Sequence, residues 1–211
     1  PYICEQKGDI YFLDNASGTF GLLPLALSPG GDGRHTSLVP AFLSSADLSA
    51  RIREKTPMLV VLTWAAASAL DAPTSALLNQ YTQQGGNLLL LPAVNAGESV
   101  GNVPAWLGVK QEPLTRTPVS LPLQIAEDKS PFWFDLRGLD GQVRIGSAFV
   151  RKYYPLSFLQ EAGYVPLLET GEAQTVLAIR KHGDGQVVVS GIAFGRSGAW
   201  SSLPRKRTFL V

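Results

Sequence analysis

Only one of the 211 residues is cysteine, Cys4, and only two are histidine, His35 and His182. A single thiol closes no internal disulfide and builds no thiolate metal cluster. Two histidines far apart, with no His-x-x-x-His spacing, present no preformed face to zinc. Asp9, Asp14 and Asp32 are scattered turn residues that support no calcium or magnesium site. Neither a metal nor a cofactor is therefore expected. Charge is sparse and balanced: 17% of the chain is charged, with 18 basic against 17 acidic side chains. That balance gives no overall field to hold nucleic acid. The basic run Arg205, Lys206, Arg207 reads as a solvated surface segment. Long apolar runs are missing as well. PMLVVLTWAAASAL (57–70) and NLLLLPAV (87–94) both fall short of the roughly 20 residues that cross a bilayer. No charged-then-apolar signal segment opens the chain.

Hydrophobic residues, by contrast, make up 45% of the chain, enough for one well-filled core. The first half alternates between two periods. DIYFLDN (9–15) reads as a short strand, GLLPLALSPGG (21–31) as a short helix broken at Pro29, and SLVPAFL (37–43) as a strand that Pro40 confines to an edge. SSADLSARIREKT (44–56) has a serine cap, an early Asp47 and late Arg and Lys residues, an order that suits the helix dipole. MLVVLTWA (58–65) predicts a buried strand. DAPTSALLNQYTQQGG (71–86) predicts a helix capped by Asp71, with Pro73 in its first turn and Gly85-Gly86 at its end. NLLLL (87–91) is apolar on both faces, as strands of a covered parallel sheet are.

The second half changes character. Prolines recur from Glu112 to Pro155, and short extended pieces such as VRIGSAFV (143–150) replace helical periodicity. TVLAIRKHGDGQVVVSGIAF (175–194) reads as a hairpin turning at HGDG. The predicted fold is a single α/β domain over 1–211, flavodoxin-like, with a mostly parallel sheet and helices on both faces. Residues 1–111 form its parallel α/β part. Residues 112–211 form a β-richer part that adds antiparallel strands and ends in the hairpin.

One stretch raises the question of catalysis. GESVG (97–101) spells G-x-S-x-G, the serine nucleophile elbow, and Ser99, Asp140 and His182 follow the α/β-hydrolase order. A working elbow turns sharply from strand into helix, yet Asn95, Ala96 and Gly97 intervene here, and Pro104 permits only a short helix afterwards. His182 falls in the hairpin turn and His35 in a glycine-rich loop. GESVG reads better as a loop, and no residue is assigned to catalysis. The glycine runs SPGGDGR and GDGQ match neither phosphate-binding pattern. Trp64, Trp106, Trp133 and Trp200 are dispersed; exposed tryptophans would suit a carbohydrate-binding module, the third reading after interaction domain and hydrolase.

Three passages carry a family likeness. LLNQYTQQGGNLLLLPA resembles the helix, Gly-Gly, strand passage of class I glutamine-amidotransferase-like domains. SPFWFDLRG (130–138) and GQVVVSGIAFGRSGAWSSLPRKRTFLV resemble the middle and end of one branch, the extracytoplasmic domain of aerotolerance-type (BatA-like) bacterial membrane proteins. The likeness implies a fragment of a longer protein. That parent would be tethered to the inner membrane through segments outside this chain, and the domain would lie in the periplasm or at the cell surface. It departs at the site. An amidotransferase carries its nucleophilic cysteine in an elbow after the NLLLL-type strand, where this chain reads PAVNAGESVG. The amidotransferase reaction is not carried over, and fold alone brings no function. The expectation is a non-catalytic interaction or sensing domain with protein partners at the membrane surface. Its crevice would lie at the carboxyl ends of the parallel strands, lined by 14–19, 64–71 and 94–102.

Overall fold

The computed structural model describes residues 8–13, 20, 23–28, 38–92, 102–138 and 148–193, with four positions between 139 and 147. Eleven strands and four α-helices are named in it: β1 (Gly8–Leu13), α1 (Leu23–Leu27), β2 (Leu38–Leu43), α2 (Ser45–Glu54), β3 (Leu59–Thr63), α3 (Trp64–Ser68), α4 (Ala72–Gln83), β4 (Asn87–Leu91), β5 (Val109–Gln111), β6 (Thr115–Ile125), β7 (Phe149–Tyr153), β8 (Leu156–Phe158), β9 (Val165–Thr170), β10 (Thr175–His182) and β11 (Gly185–Ser190). Nine strands form one α/β mixed sheet in the order β2-β1-β3-β4-β11-β10-β9-β6-β7; β5 and β8 form a separate ribbon.

The sheet is not mostly parallel. β2-β1, β1-β3, β3-β4 and β4-β11 are parallel pairs, whereas β11-β10, β10-β9, β9-β6 and β6-β7 are antiparallel. The expected antiparallel extension is present, on the β11 side. What the sequence did not signal is that β11 itself is a parallel strand beside β4. The hairpin's second arm closes a crossover that leaves β4 at Leu91 and returns at Gly185.

Local chemistry explains the first half. Ser44 Oγ accepts the Asp47 amide at 3.3 Å, Thr63 Oγ1 the Ala66 amide at 3.1 Å, and Asp71 Oδ1 the Thr74 amide at 2.9 Å. Each cap satisfies an amide that the first helical turn leaves without a partner. Period-2 alternation divides the strand residues between two cores. Tyr11, Leu13, Val60, Leu62, Leu88 and Leu90 pack with Leu48 and Ile52 of α2, Trp64 and Ala67 of α3, and Leu78 and Tyr81 of α4. Ile10, Phe12, Val61 and Leu91 pack the other way, against Phe20, Leu23 and Leu27. Helices thus cover both faces. β2 is an edge strand, which is where its Pro40, lacking an amide donor, does no harm to the ladder. Two expectations shift. The run after Thr63 is helical over Trp64–Ser68 instead of prolonging the strand, and the extended segment near 143–150 is the strand Phe149–Tyr153. No helix among the described residues is long and apolar enough to cross a membrane.

Candidate recognition cleft

At the carboxyl end of β3 the chain turns directly into α3, and Trp64 occupies the corner. Its indole is buried, and Nε1 donates to the Ser190 carbonyl at 3.2 Å, tying this corner to the end of β11. A cavity of about 450 Å³ opens beside it, bounded further by Asn102–Ala105, Gly108–Gln111 and Ser157–Leu159. Trp64 and Asn102 belong to two of the segments expected to line the crevice; the third, 14–19, lies outside the described residues, as does most of 94–102.

The far wall is the β5-β8 ribbon, in which Lys110 faces Ser157 and Gln111 faces Leu156. Ser157 Oγ donates to Glu112 Oε1 at 2.6 Å, and Lys110 Nζ lies 3.7 Å from the same oxygen. The Ser157 hydrogen bond holds the Glu112 carboxyl below the usual carboxylate range, with help from the Lys110 charge. Gln111 Oε1 is buried and has no hydrogen-bond partner. Leu159 stands 65% exposed at the rim.

Behind this wall, Arg180 fixes two 3₁₀ turns, Ala105–Leu107 and Gln160–Ala162. Its Nη2 donates to the Trp106 carbonyl at 2.6 Å and its Nη1 to the Ala162 carbonyl at 3.5 Å. The guanidinium lies 5.2 Å from the centre of the Tyr164 ring, which stacks on Phe158, and the Tyr164 hydroxyl donates to the Leu107 carbonyl at 2.9 Å. Burial pushes the Tyr164 hydroxyl strongly upward in pKa, so it stays protonated as a donor. Sequence reading singled out none of Lys110, Gln111, Ser157 or Arg180. The only local sign was Gly108, a glycine closing a short turn after Pro104.

The suggested triad residues lie as follows. Ser99 is outside the described residues, as are His35, Asp14, Asp32 and Trp200; Asp140 is exposed beyond the 3₁₀ turn Pro131–Leu136. His182 ends β10 opposite Gly185, the first residue of β11. Trp64 meets the other end of β11, roughly 16 Å away at 3.3 Å per residue. The imidazole Nε2 is 2.6 Å from Asn79 Oδ1, and the ring stacks on Trp106 at 5.5 Å. Burial, then the Arg180 charge, lowers its pKa below the ordinary value of 6.5. Asp9 pairs with Lys55 at 2.8 Å, and no group of three or more His, Cys, Asp or Glu side chains that could hold a metal occurs among the described residues.

No protein-family model matches the sequence, and no curated protein matches it either. Solved structures do share the fold. A cytoplasmic protein of Salmonella typhimurium, STM1381, aligns at 14% identity with a TM-score of 0.59 over 92% of this chain and 91% of its own. A ThuA-like protein of Bacteroides uniformis aligns at 10% identity and TM-score 0.57, covering 90% and 82%. A segment making up 29% of a β-galactosidase of Bacillus circulans aligns over 92% of this chain at 11% identity and TM-score 0.57. At these identities the likeness establishes the fold alone. It corrects one expectation: two of the similar Salmonella structures are of proteins described as cytoplasmic, against the extracytoplasmic location inferred from the family likeness.

Proposed function

We propose that this chain is a glutamine-amidotransferase-like, flavodoxin-like domain that works as a non-catalytic recognition module, holding a segment of a protein partner in the cleft between Trp64 and the β5-β8 ribbon. The strand order β2-β1-β3-β4 and the passage at 77–93 support the architecture. One observation carries the functional part. Among the described lining residues the one hydroxyl, on Ser157, donates to the Glu112 carboxylate at 2.6 Å. The only histidine among the described residues, His182, is held by Asn79 and Trp106 instead of standing beside this hydroxyl, so the pair orients donors and acceptors rather than activating an attacking oxygen. Around it, the exposed Leu159 and the Lys110 ammonium offer an apolar anchor and a polar contact of the kind that fixes a bound segment.

Peptides selected for binding to the intact chain test this reading. Their affinity is expected to fall about tenfold, some 1.4 kcal/mol, in Leu159→Ser and in Lys110→Glu. Unchanged affinity in both variants refutes the cleft. A fluorophosphonate probe tests the opposing reading, a hydrolase using Ser99 with His182 and Asp140: labelling that disappears in Ser99→Ala overturns the proposal.

A further inference from the structure

A second hollow lies away from the cleft, where β9, β10 and β11 meet the 3₁₀ turn Pro131–Leu136. Its volume is about 660 Å³. Phe132, Val165 and Ile179 give it an apolar side, and Lys129, Lys181 and Gln186 a polar one. Register explains the division. Val165 faces Ile179 across β9-β10, and two residues further along β10 Lys181 faces Gln186 across β10-β11. Side chains two apart on a strand share a face, so the apolar pair and the basic end follow one another about 7 Å apart.

The apolar side is exposed by construction. Phe132 is 42% and Val165 41% exposed. Phe132 stands edge-on against Trp133 at 4.9 Å, and Trp133 is buried with Nε1 donating to the Glu127 carbonyl at 2.9 Å. The Phe132 amide is held in turn by Ser130 Oγ at 3.3 Å. The basic side is not neutralised. Neither Lys129 nor Lys181 belongs to an ion pair among the described residues. Arg180, between Ile179 and Lys181, is only 8% exposed, and alternation along β10 sends its guanidinium to the opposite face, where it bonds the Trp106 and Ala162 carbonyls. The one acidic lining residue, Glu127, accepts the Lys129 main-chain amide at 2.9 Å. The two lysines against one engaged carboxylate leave a local positive potential beside an apolar surface, although the whole chain is nearly neutral.

We propose that this hollow binds a small carboxylic acid with an aromatic or branched apolar body, the body lying on Phe132, Val165 and Ile179 and the carboxylate beside Lys181 and Lys129. A binding site of this kind is independent of the cleft function proposed above. Its test pairs 1-naphthoate with the neutral 1-naphthylmethanol, titrated into the full 211-residue chain and followed by backbone amide shifts. Saturable shifts are expected at Val165, Ile179 and Lys181 with naphthoate, and at least tenfold weaker binding of the alcohol. Lys181→Glu and Phe132→Ser, both at exposed side chains, are each expected to weaken naphthoate at least tenfold while the remaining spectrum keeps its dispersion. Equal affinity for acid and alcohol, no loss in either variant, no saturable shift, or shifts confined to Lys110 and Ser157 would each overturn the site.

Discussion

Gly108 sits where the cleft wall meets the second 3₁₀ turn, with φ at +63°, and a Cβ added there would lie 2.6 Å from Ala162 Cβ. Both the backbone conformation and the neighbour exclude a side chain. Gly108→Ala is expected to cost about 2 kcal/mol, read as a fall in the urea midpoint with unchanged m-value. Such a position was partly legible, since a glycine after Pro-Ala-Trp-Leu suggests a turn. What was not legible is everything that depends on pairing across distance: Ser157 reaches Glu112 over 45 residues, and Arg180 reaches Trp106 over 74. His182 illustrates the same limit, since neighbouring residues give no hint of Asn79 or Trp106. Its imidazole has a folded-state pKa below the unfolded value, so protonation favours the unfolded chain. Stability at neutral pH is therefore expected to be lost as pH falls below about 6.5 toward the folded-state value. Comparing urea midpoints at pH 8 and 5.5 with those of His182→Gln isolates this share, because the variant's pH dependence should be shallower.

Helix α4 shows why the first half could be read element by element. Its cap, its Pro73 and its Leu77-Leu78-Tyr81 spacing are all contained within the helix, and so are the apolar runs of β3 and β4. Leu78 is fully buried between α4 and the sheet; Leu78→Ala is expected to cost about 3 kcal/mol in chemical denaturation, the usual range for a core leucine that leaves a cavity. Two elements escaped the reading for identifiable reasons. WAAAS continues an apolar run without a break, and only the Thr63 hydroxyl capping Ala66 marks its change to helix. β6 carries Pro118 and Pro122, which argue against a strand, yet the register shift between Arg116 and Leu121 lets it bend past its partner β7.

Across the whole molecule the parallel and antiparallel halves join at β11, which pairs with β4 on one side and β10 on the other. Its Val187 and Val189 are fully buried, as are Leu88 and Leu90 of the adjoining β4 and Val60 and Leu62 of β3 beyond it. Amide hydrogen exchange is expected to be slowest in β3, β4 and β11 and faster in the edge strands β2 and β7; protection lower in β11 than in β7 would contradict this ranking. The turn between β10 and β11 is also held from outside, because the Asp184 amide donates to the Gln83 carbonyl at 3.0 Å and Gly183 approaches the same backbone too closely for any Cβ. Placing a central strand at residue 185 has a consequence for biosynthesis. While a ribosome is still translating the preceding residues, β4 has an open row of amides and carbonyls and four consecutive leucines with no neighbour on that side. A nascent chain at this stage is a template for intermolecular strand pairing, and chaperone shielding matters most in the interval before β11 has left the ribosome.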